Sequence, residues 1–320
     1  MSKNKYNCII LLGPTAVGKT SLGVRLAHHL NTSIISADSR QTYKGLDLGS
    51  GKDIQEYNYQ GRQIPYYMID ITTLDTEYNV FNYQQDFYKI FAQLKQKGGT
   101  PPLVVGGTGM YVDSIVRDYD LIPVPENPEF HAQLESMNLE ELVKKLLALR
   151  PNHHNTSDFL DKERVIHAIE IESYKQSDDS KWYWEEKAKR EKVNPFIIGT
   201  TIPRDELHKN IRIRLEERIK AGMIEEVQEL HNSGYSWQRL DKLGLEYRYV
   251  SDYLQNKYSS IEEMTDRLYH AIAQFAKRQE TWFRGMEKKG VTIHWLPKVT
   301  DKEEKYTAAL KLIEQIDFSF

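Results

Sequence analysis

Nine residues near the amino terminus, Gly13-Pro14-Thr15-Ala16-Val17-Gly18-Lys19-Thr20-Ser21, carry the spacing G-x-x-x-x-G-K-S/T in full. Glycines at those positions let successive backbone N–H groups converge on phosphate oxygens at a helix N-terminus. Lys19 would neutralise the phosphates, and the Thr20 hydroxyl would ligate a magnesium ion. The motif carries this chemistry only between a strand and a helix. Both are expected here, a strand over Asn7–Leu12 and a helix over Lys19–Leu30. Phosphate binding follows from the pattern, but the reaction does not.

A nucleoside triphosphatase usually adds an acidic residue at the end of a buried strand to hold magnesium. The obvious strand, Leu103-Val104-Val105, runs instead into Gly106-Gly107-Thr108-Gly109. Asp38 closes another strand, Ser33–Ala37, on the edge where open α/β sheets bind ligands. A carboxylate there can hold magnesium or act as a base. Farther along, Gln274, Lys277, Arg278, Thr281 and Arg284 recur at helical spacing and make one polar face. Leu268, Ile272, Phe275 and Trp282 make the opposite, core-facing stripe. Periodicity alone fits a solvated face at least as well as a binding one.

These residues need a scaffold. Apolar runs alternate with helical patterns through the first third, with further strands at Tyr66–Ile71 and Pro102–Val105 and a helix over Phe81–Lys97. That alternation predicts an α/β fold with a parallel sheet covered on both faces. A Pro-rich joint over Tyr119–Pro128 then ends the strand patterns, and only helical periodicity and polar loops follow as far as Val193. The expected organisation is a catalytic core of 1–122 and 196–320 interrupted by a helical insertion, 123–195. Pro195–Gly199 resumes the sheet, a basic helix is expected over Asp205–Leu230, and Val291–Trp295 is a last short strand.

Composition bounds the rest. Net charge is −3, with 28% charged and 40% hydrophobic residues, so any surface for nucleic acid must be local. Cys8 is the single cysteine, which excludes internal disulfides and Cys-rich zinc sites and suits a reducing compartment. No stretch approaches the ~20 apolar residues of a membrane helix, and the first residues lack a signal-peptide core. A cytoplasmic monomer is expected. The ten histidines, His153-His154 among them, show no helical ligand spacing with acids and are read as surface or core residues.

Five segments together resemble the tRNA dimethylallyltransferase (tRNA isopentenyltransferase) family over most of the chain. They are GPTAVGKT (Gly13–Thr20), ISADSRQTYKGLDLGSGK (Ile35–Lys52), LVVGGTGMY (Leu103–Tyr111), ERVIHAIEI (Glu163–Ile171) and AKRQETWFR (Ala276–Arg284). The first is shared by many proteins, whereas the second and the last are far more specific. The resemblance implies a P-loop NTPase-like core that moves a dimethylallyl group from its diphosphate to the exocyclic amine of the adenine 3′ of a tRNA anticodon. The tRNAs would be those reading codons that begin with U. The loop would then hold an isoprenoid diphosphate, with Mg2+, rather than the tail of an ATP. By similarity Asp38 is the base, Thr108 orients the adenine, and Arg214 lies near the diphosphate bound by Gly13, Pro14, Thr15, Ala16, Val17, Gly18, Lys19 and Thr20.

The same resemblance implies tRNA (anticodon stem-loop) contacts from Asp38, Ser39, Arg40 and Gln41, from Glu163, Arg164, Val165, Ile166 and His167, and from Arg248. It adds Lys277, Arg278, Gln279, Thr281, Trp282 and Arg284, reversing the solvated reading of that face. There are departures. Glu246 stands where relatives often carry glycine, His131 where they carry arginine, and the acidic, Trp-rich stretch Ser177–Glu186 has no counterpart role. A small-molecule or nucleotide kinase would share the loop and the sheet but needs ATP turnover. A phosphate-switch binding module would keep the loop without turnover.

Overall fold

The computed structural model describes residues 5–151 and 159–320, so His153 and His154 lie outside the described residues. Ten strands occur among the described residues: β1 (Lys5–Tyr6), β2 (Cys8–Leu12), β3 (Ile34–Ala37), β4 (Asn58–Tyr59), β5 (Arg62–Gln63), β6 (Tyr66–Tyr67), β7 (Leu103–Gly106), β8 (Pro195–Gly199), β9 (His294–Trp295) and β10 (Asp317–Phe318). Six form one sheet in the order β6-β3-β7-β2-β8-β9, with every neighbouring pair parallel. β4 and β5 make a small antiparallel hairpin, and β1 pairs with β10. The central strands are apolar on both faces because helices cover both.

The period of two separates the faces. Cys8, Ile10, Leu12, Ile35, Val104 and Ile197 pack with Tyr83 and Phe87 of α2 (Val80–Lys97), Val112 and Ile115 of α3 (Gly109–Val116), and Phe283 of the long α12 (Ile261–Lys288). Ile9, Leu11, Ile34, Leu103, Val105 and Ile198 pack with α1 (Lys19–Leu30) and with Ala309 and Ile313 of α13 (Lys302–Ile313). A further core is mostly helical, with Val17, Tyr43, Leu46, Leu74 and Ile202 added from loops. It joins α8 (Arg204–Lys220), α9 (Met223–Asn232), α10 (Trp237–Asp241) and α11 (Leu245–Leu254) to the first half of α12 through Leu215, Val227, Leu240, Val250 and Leu268.

The chain divides into two compact units, one of residues up to Tyr119 together with Val193–Phe320, the other Asp120–Lys192. All ten strands belong to the first. The second holds α4 (Pro128–Glu135), α5 (Leu139–Leu149), α6 (Lys162–Lys175) and α7 (Lys181–Lys189). Its core is Leu134, Leu142, Leu146, Val165, Ile166 and Ile169. The capping is sequence-local. The Asn138 side chain accepts from the Glu141 amide at the start of α5, and the Glu141 carboxylate accepts from the Asn138 amide.

Two elements differ from the sequence expectation. The run Tyr66–Ile71 yields a strand of only two residues, because Met68 and Asp70 take left-handed backbone angles (φ 67° and 55°) that end the ladder. The basic segment Asp205–Leu230 is two helices, broken where Gly222 adopts φ 106°. Neither break leaves a periodicity signal, since the apolar positions continue through both.

Candidate active site

β2 delivers the phosphate loop and α1 leaves it, so Gly13–Thr20 sits at the carboxyl edge of the sheet. β3 ends at Ala37 and sets Asp38 on the same edge, while β7, between them, ends at Gly106. Lys19, Thr20, Asp38, Thr108, Arg214 and Gln279 line one cavity of about 70 Å3. It shares Lys19, Thr20, Asp53 and Arg214 with a wider basin of about 550 Å3.

Backbone bonds hold the two catalytic candidates in place. The Thr108 amide donates to the Ala37 carbonyl (3.1 Å), and the Ser39 amide donates to Thr108 Oγ1 (3.0 Å). The Asp38 carboxylate accepts from the Arg40 amide (3.0 Å) and keeps its second oxygen for other work. Gly107 explains why β7 ends without a side chain here. A Cβ on it would meet Gln279 Nε2 at 2.6 Å and the Gly13 carbonyl oxygen at 3.1 Å, so any larger residue would push the Gln279 amide off the Gly107 carbonyl.

Lys19 folds back to donate to the Pro14 carbonyl (2.5 Å). Burial pulls its pKa down to about 7, with Arg214 and Lys305 adding repulsion and Asp38 opposing the fall. An arriving phosphate anion reverses that balance. The Thr20 hydroxyl and the Asp38 carboxylate are hard oxygen donors on one cavity wall. That set is too small to cage a metal alone, and no group of three or more His, Cys, Asp or Glu that could hold one occurs among the described residues. It does fit magnesium, which keeps several waters and binds through one or two protein oxygens plus substrate phosphates.

The segment between Asp38 and Lys52 forms a wall of the cavity, and buried polar groups hold it. Lys52, 2% exposed, donates to the Tyr43 carbonyl (2.8 Å), to Asp47 (2.8 Å) and to Asp70. Glu226 on α9 accepts from the amides of Asp47, Leu48 and Gly49 and from the Tyr247 hydroxyl. None of these partners shares a periodic pattern with the loop, so sequence reading missed them.

The residues expected at a tRNA surface divide. Lys277, Arg278, Thr281 and Arg284 are exposed along α12, and Arg248 is exposed on α11. Glu163, Arg164 and His167 are exposed on α6. Val165 and Ile166 are corrected: at 0% and 2% exposure they belong to the core of the second unit and offer no side chain to a ligand. Gln41 is also corrected, because its buried amide accepts from Ser36 and donates to the Gly51 carbonyl. Gln279 is the clearest correction. It accepts from the Thr15 amide (2.8 Å) and donates to the Gly107 carbonyl (2.8 Å), so it ties the phosphate loop to the turn after β7. The family resemblance put it with Lys277 and Arg278, yet its side chain points inward.

Two stripe assignments also change. Phe275 lines the cavity, and Trp282, expected in the core, is 38% exposed with its ring against Gly109. Glu246 is buried and pairs with Arg40, so its charge is cancelled within the protein. His131 pairs with Glu170 (2.8 Å), which raises its pKa. In the stretch Ser177–Glu186, Trp184 donates to the Ser180 hydroxyl (3.2 Å) at the start of α7.

With this geometry in place, residues 41–286 match the family described as IPP transferase. The chain belongs to that family. Among its relatives is tRNA dimethylallyltransferase 2 of Treponema denticola, 50% identical over 297 residues that cover 92% of this chain and 97% of that protein. Another is tRNA dimethylallyltransferase 2 of Bacteroides fragilis, 46% identical over 95% of this chain and 96% of that one. Among solved structures, the full-length tRNA isopentenylpyrophosphate transferase of Bacillus halodurans aligns over 97% of this chain and 96% of its own, at TM-score 0.69 and 28% identity. A eukaryotic dimethylallyltransferase acting on tRNA shares the fold at TM-score 0.75 with 18% identity over 99% of this chain and 81% of its own. The core of this IPP transferase is therefore the P-loop NTPase-like sheet of those neighbours.

Proposed function

We propose that this chain transfers a dimethylallyl group from dimethylallyl diphosphate to the exocyclic amine of the adenine 3′ of the anticodon, in tRNAs reading codons that begin with U. The observation that carries the reading is one cavity in which a phosphate loop, Asp38 and Thr108 meet, in a chain of the IPP transferase family. The diphosphate lies on Gly13–Thr20, where loop amides, Lys19 and Arg214 stabilise the charge that develops as the allylic C–O bond breaks. The Thr15 amide is already engaged by Gln279, so it orders the loop. Thr20 would hold a magnesium ion on the same phosphates, where it would supply further neutralisation of the leaving group.

The adenine must leave its stack to reach the cavity, as bases in loops do for other modifying enzymes. Thr108 orients it. The amine nitrogen forms the new C–N bond, diphosphate departs, and Asp38 takes the amine proton. The exposed cations of α12 and α11 contact the tRNA backbone, with Glu163, Arg164 and His167 contributing from the second unit. No helix among the described residues is long and apolar enough to cross a membrane. The enzyme would work in the cytoplasm as a monomer.

No observation favours a kinase, since β7 ends in glycines where a magnesium-binding carboxylate would stand. The test incubates the protein with unmodified tRNA and radiolabelled dimethylallyl diphosphate, with ATP hydrolysis as control. Label appearing in tRNA is the expected outcome. ATP turnover without tRNA labelling would return the protein to the kinases, and neither activity would make it a binding module.

A further inference from the structure

Arg218 lies one helical turn after Arg214 on α8, and both line the wider basin beside Lys19 and Thr20. The two guanidinium groups converge on Gly51. A Cβ there would meet Arg218 Nη2 at 1.9 Å and Arg214 Nη2 at 2.3 Å, so two cationic nitrogens stand side by side where glycine leaves room. Gly51 also has φ 66°, a conformation that L side chains rarely adopt.

This pair is undersupplied with partners. The Arg218 side chain is 11% exposed, yet its buried Nη2 makes no hydrogen bond, and neither does the buried Nε of Arg214. The nearest carboxylate to Arg218 is that of Asp53, at 3.6 Å and half exposed, too far for a hydrogen bond. Glu246, also nearby, is committed to Arg40. Burial, then the charge of Arg214, lowers the Arg218 pKa to about 10. Like charges held together in a protected site, with donors unsatisfied, are what a multiply charged anion would relieve.

We propose that Arg218 is a second diphosphate-binding arginine, the outer arm of a two-guanidinium clamp whose inner arm is Arg214. The clamp faces the phosphate loop across the basin and grips the diphosphate both before transfer and as the leaving group. A bidentate fork suits this role, since two adjacent arginines present parallel N–H donors to non-bridging oxygens that a lysine cannot match. The proposal rests on the reading of Gly13–Thr20 as the diphosphate site.

The test uses inorganic diphosphate as probe on the full chain, followed by calorimetry and thermal unfolding. Arg218→Gln should weaken diphosphate binding about 10- to 100-fold, the loss expected for a charge-assisted hydrogen bond. It should leave affinity for an unmodified anticodon stem-loop unchanged. Without diphosphate its Tm should equal or exceed that of the parent protein, because removing one of two like charges relieves repulsion. Arg218→Lys should recover part of the affinity. An unchanged diphosphate affinity in Arg218→Gln overturns the proposal. So does a loss that Asp53→Asn reproduces in full, since the arginine would then be a structural partner of Asp53. If the parent protein itself fails to bind diphosphate, the phosphate-loop reading falls instead, which keeps the two failures distinct.

Discussion

Asp38 and Lys19 line one cavity, and each makes a prediction of its own. For Asp38 the competing roles are base and metal ligand. Asp38→Asn retains a hydrogen-bond acceptor but takes no proton, so the transfer step should fall on the order of 10²- to 10⁴-fold in single-turnover labelling, with tRNA and isoprenoid affinities little changed. Recovery of full rate at saturating magnesium would make Asp38 a metal ligand instead. For Lys19 the prediction concerns pH. Burial holds its pKa at about 7, below the ordinary lysine value, and a bound diphosphate would stabilise the ammonium and raise it. Below pH 7 the lysine is already charged and binding takes up no proton. Above pH 7 each binding event must take one up, so affinity should weaken as pH rises, by at most about tenfold per unit. Calorimetry in two buffers of different ionisation heat, corrected for titration of the ligand, measures that uptake. A flat profile up to pH 9 contradicts the assignment. Both residues are legible from sequence, one from a motif and one from its place at a strand end. Arg218 is not, because its meaning comes from Gly51, which is remote in sequence and reaches it only through the fold.

At the scale of elements, α12 does two jobs with adjacent faces. Its exposed face carries Lys277, Arg278, Thr281 and Arg284, and reversing Lys277 and Arg278 to Glu should weaken tRNA binding and lower its salt slope by about 2, one for each lost phosphate contact. An unchanged slope returns this face to solvent. Its inner side carries Gln279, which bridges the Thr15 amide and the Gly107 carbonyl. Gln279→Ala leaves the buried Gly107 carbonyl and the half-buried Thr15 amide without their partner, at about 1–3 kcal/mol for the carbonyl. The expected result is a fall of several degrees in Tm together with weaker diphosphate binding. A lower tRNA affinity with normal Tm and diphosphate binding would put Gln279 back on the tRNA surface. Here the family resemblance, which counted Gln279 with its neighbours as a tRNA contact, misleads for a definite reason. A match along the chain cannot see that two loop backbones end beneath Gln279 with a donor and an acceptor to satisfy. The same blindness joined α8 and α9 into one helix, since Ile219, Met223 and Val227 continue the apolar rhythm across the turn at Gly222. Glu226, just past that turn, owes its grip on the amides of Asp47, Leu48 and Gly49 to the break.

At the scale of the whole chain, α13 illustrates how the far end supports the loop. Leu296, Ala309 and Ile313 are buried against the face of the sheet that α1 covers, Arg25 pairs with Glu303, and Lys305 donates to the Val17 carbonyl. Fully burying a Leu or Ile side chain contributes about 1.5–3 kcal/mol, so removing residues 296–320 should cost on the order of 5 kcal/mol from a total of about 5–15. The truncated protein should melt far lower or precipitate, and an unchanged Tm would show that the tail is dispensable. The alternation of strands and helices made the sheet legible. The order of its strands did not come with it, because β2 takes its two neighbours from distant segments, β7 on one side and β8 on the other. That order has a consequence during synthesis on the ribosome. β2 is complete at Leu12, but β8, which seals one of its edges, arrives only at Pro195. At about 5–20 residues per second the nascent strand waits roughly 10–40 s with that edge unpaired. Through that interval the most apolar strand of the sheet is open to mispairing, and it is then that a nascent-chain chaperone has most to protect.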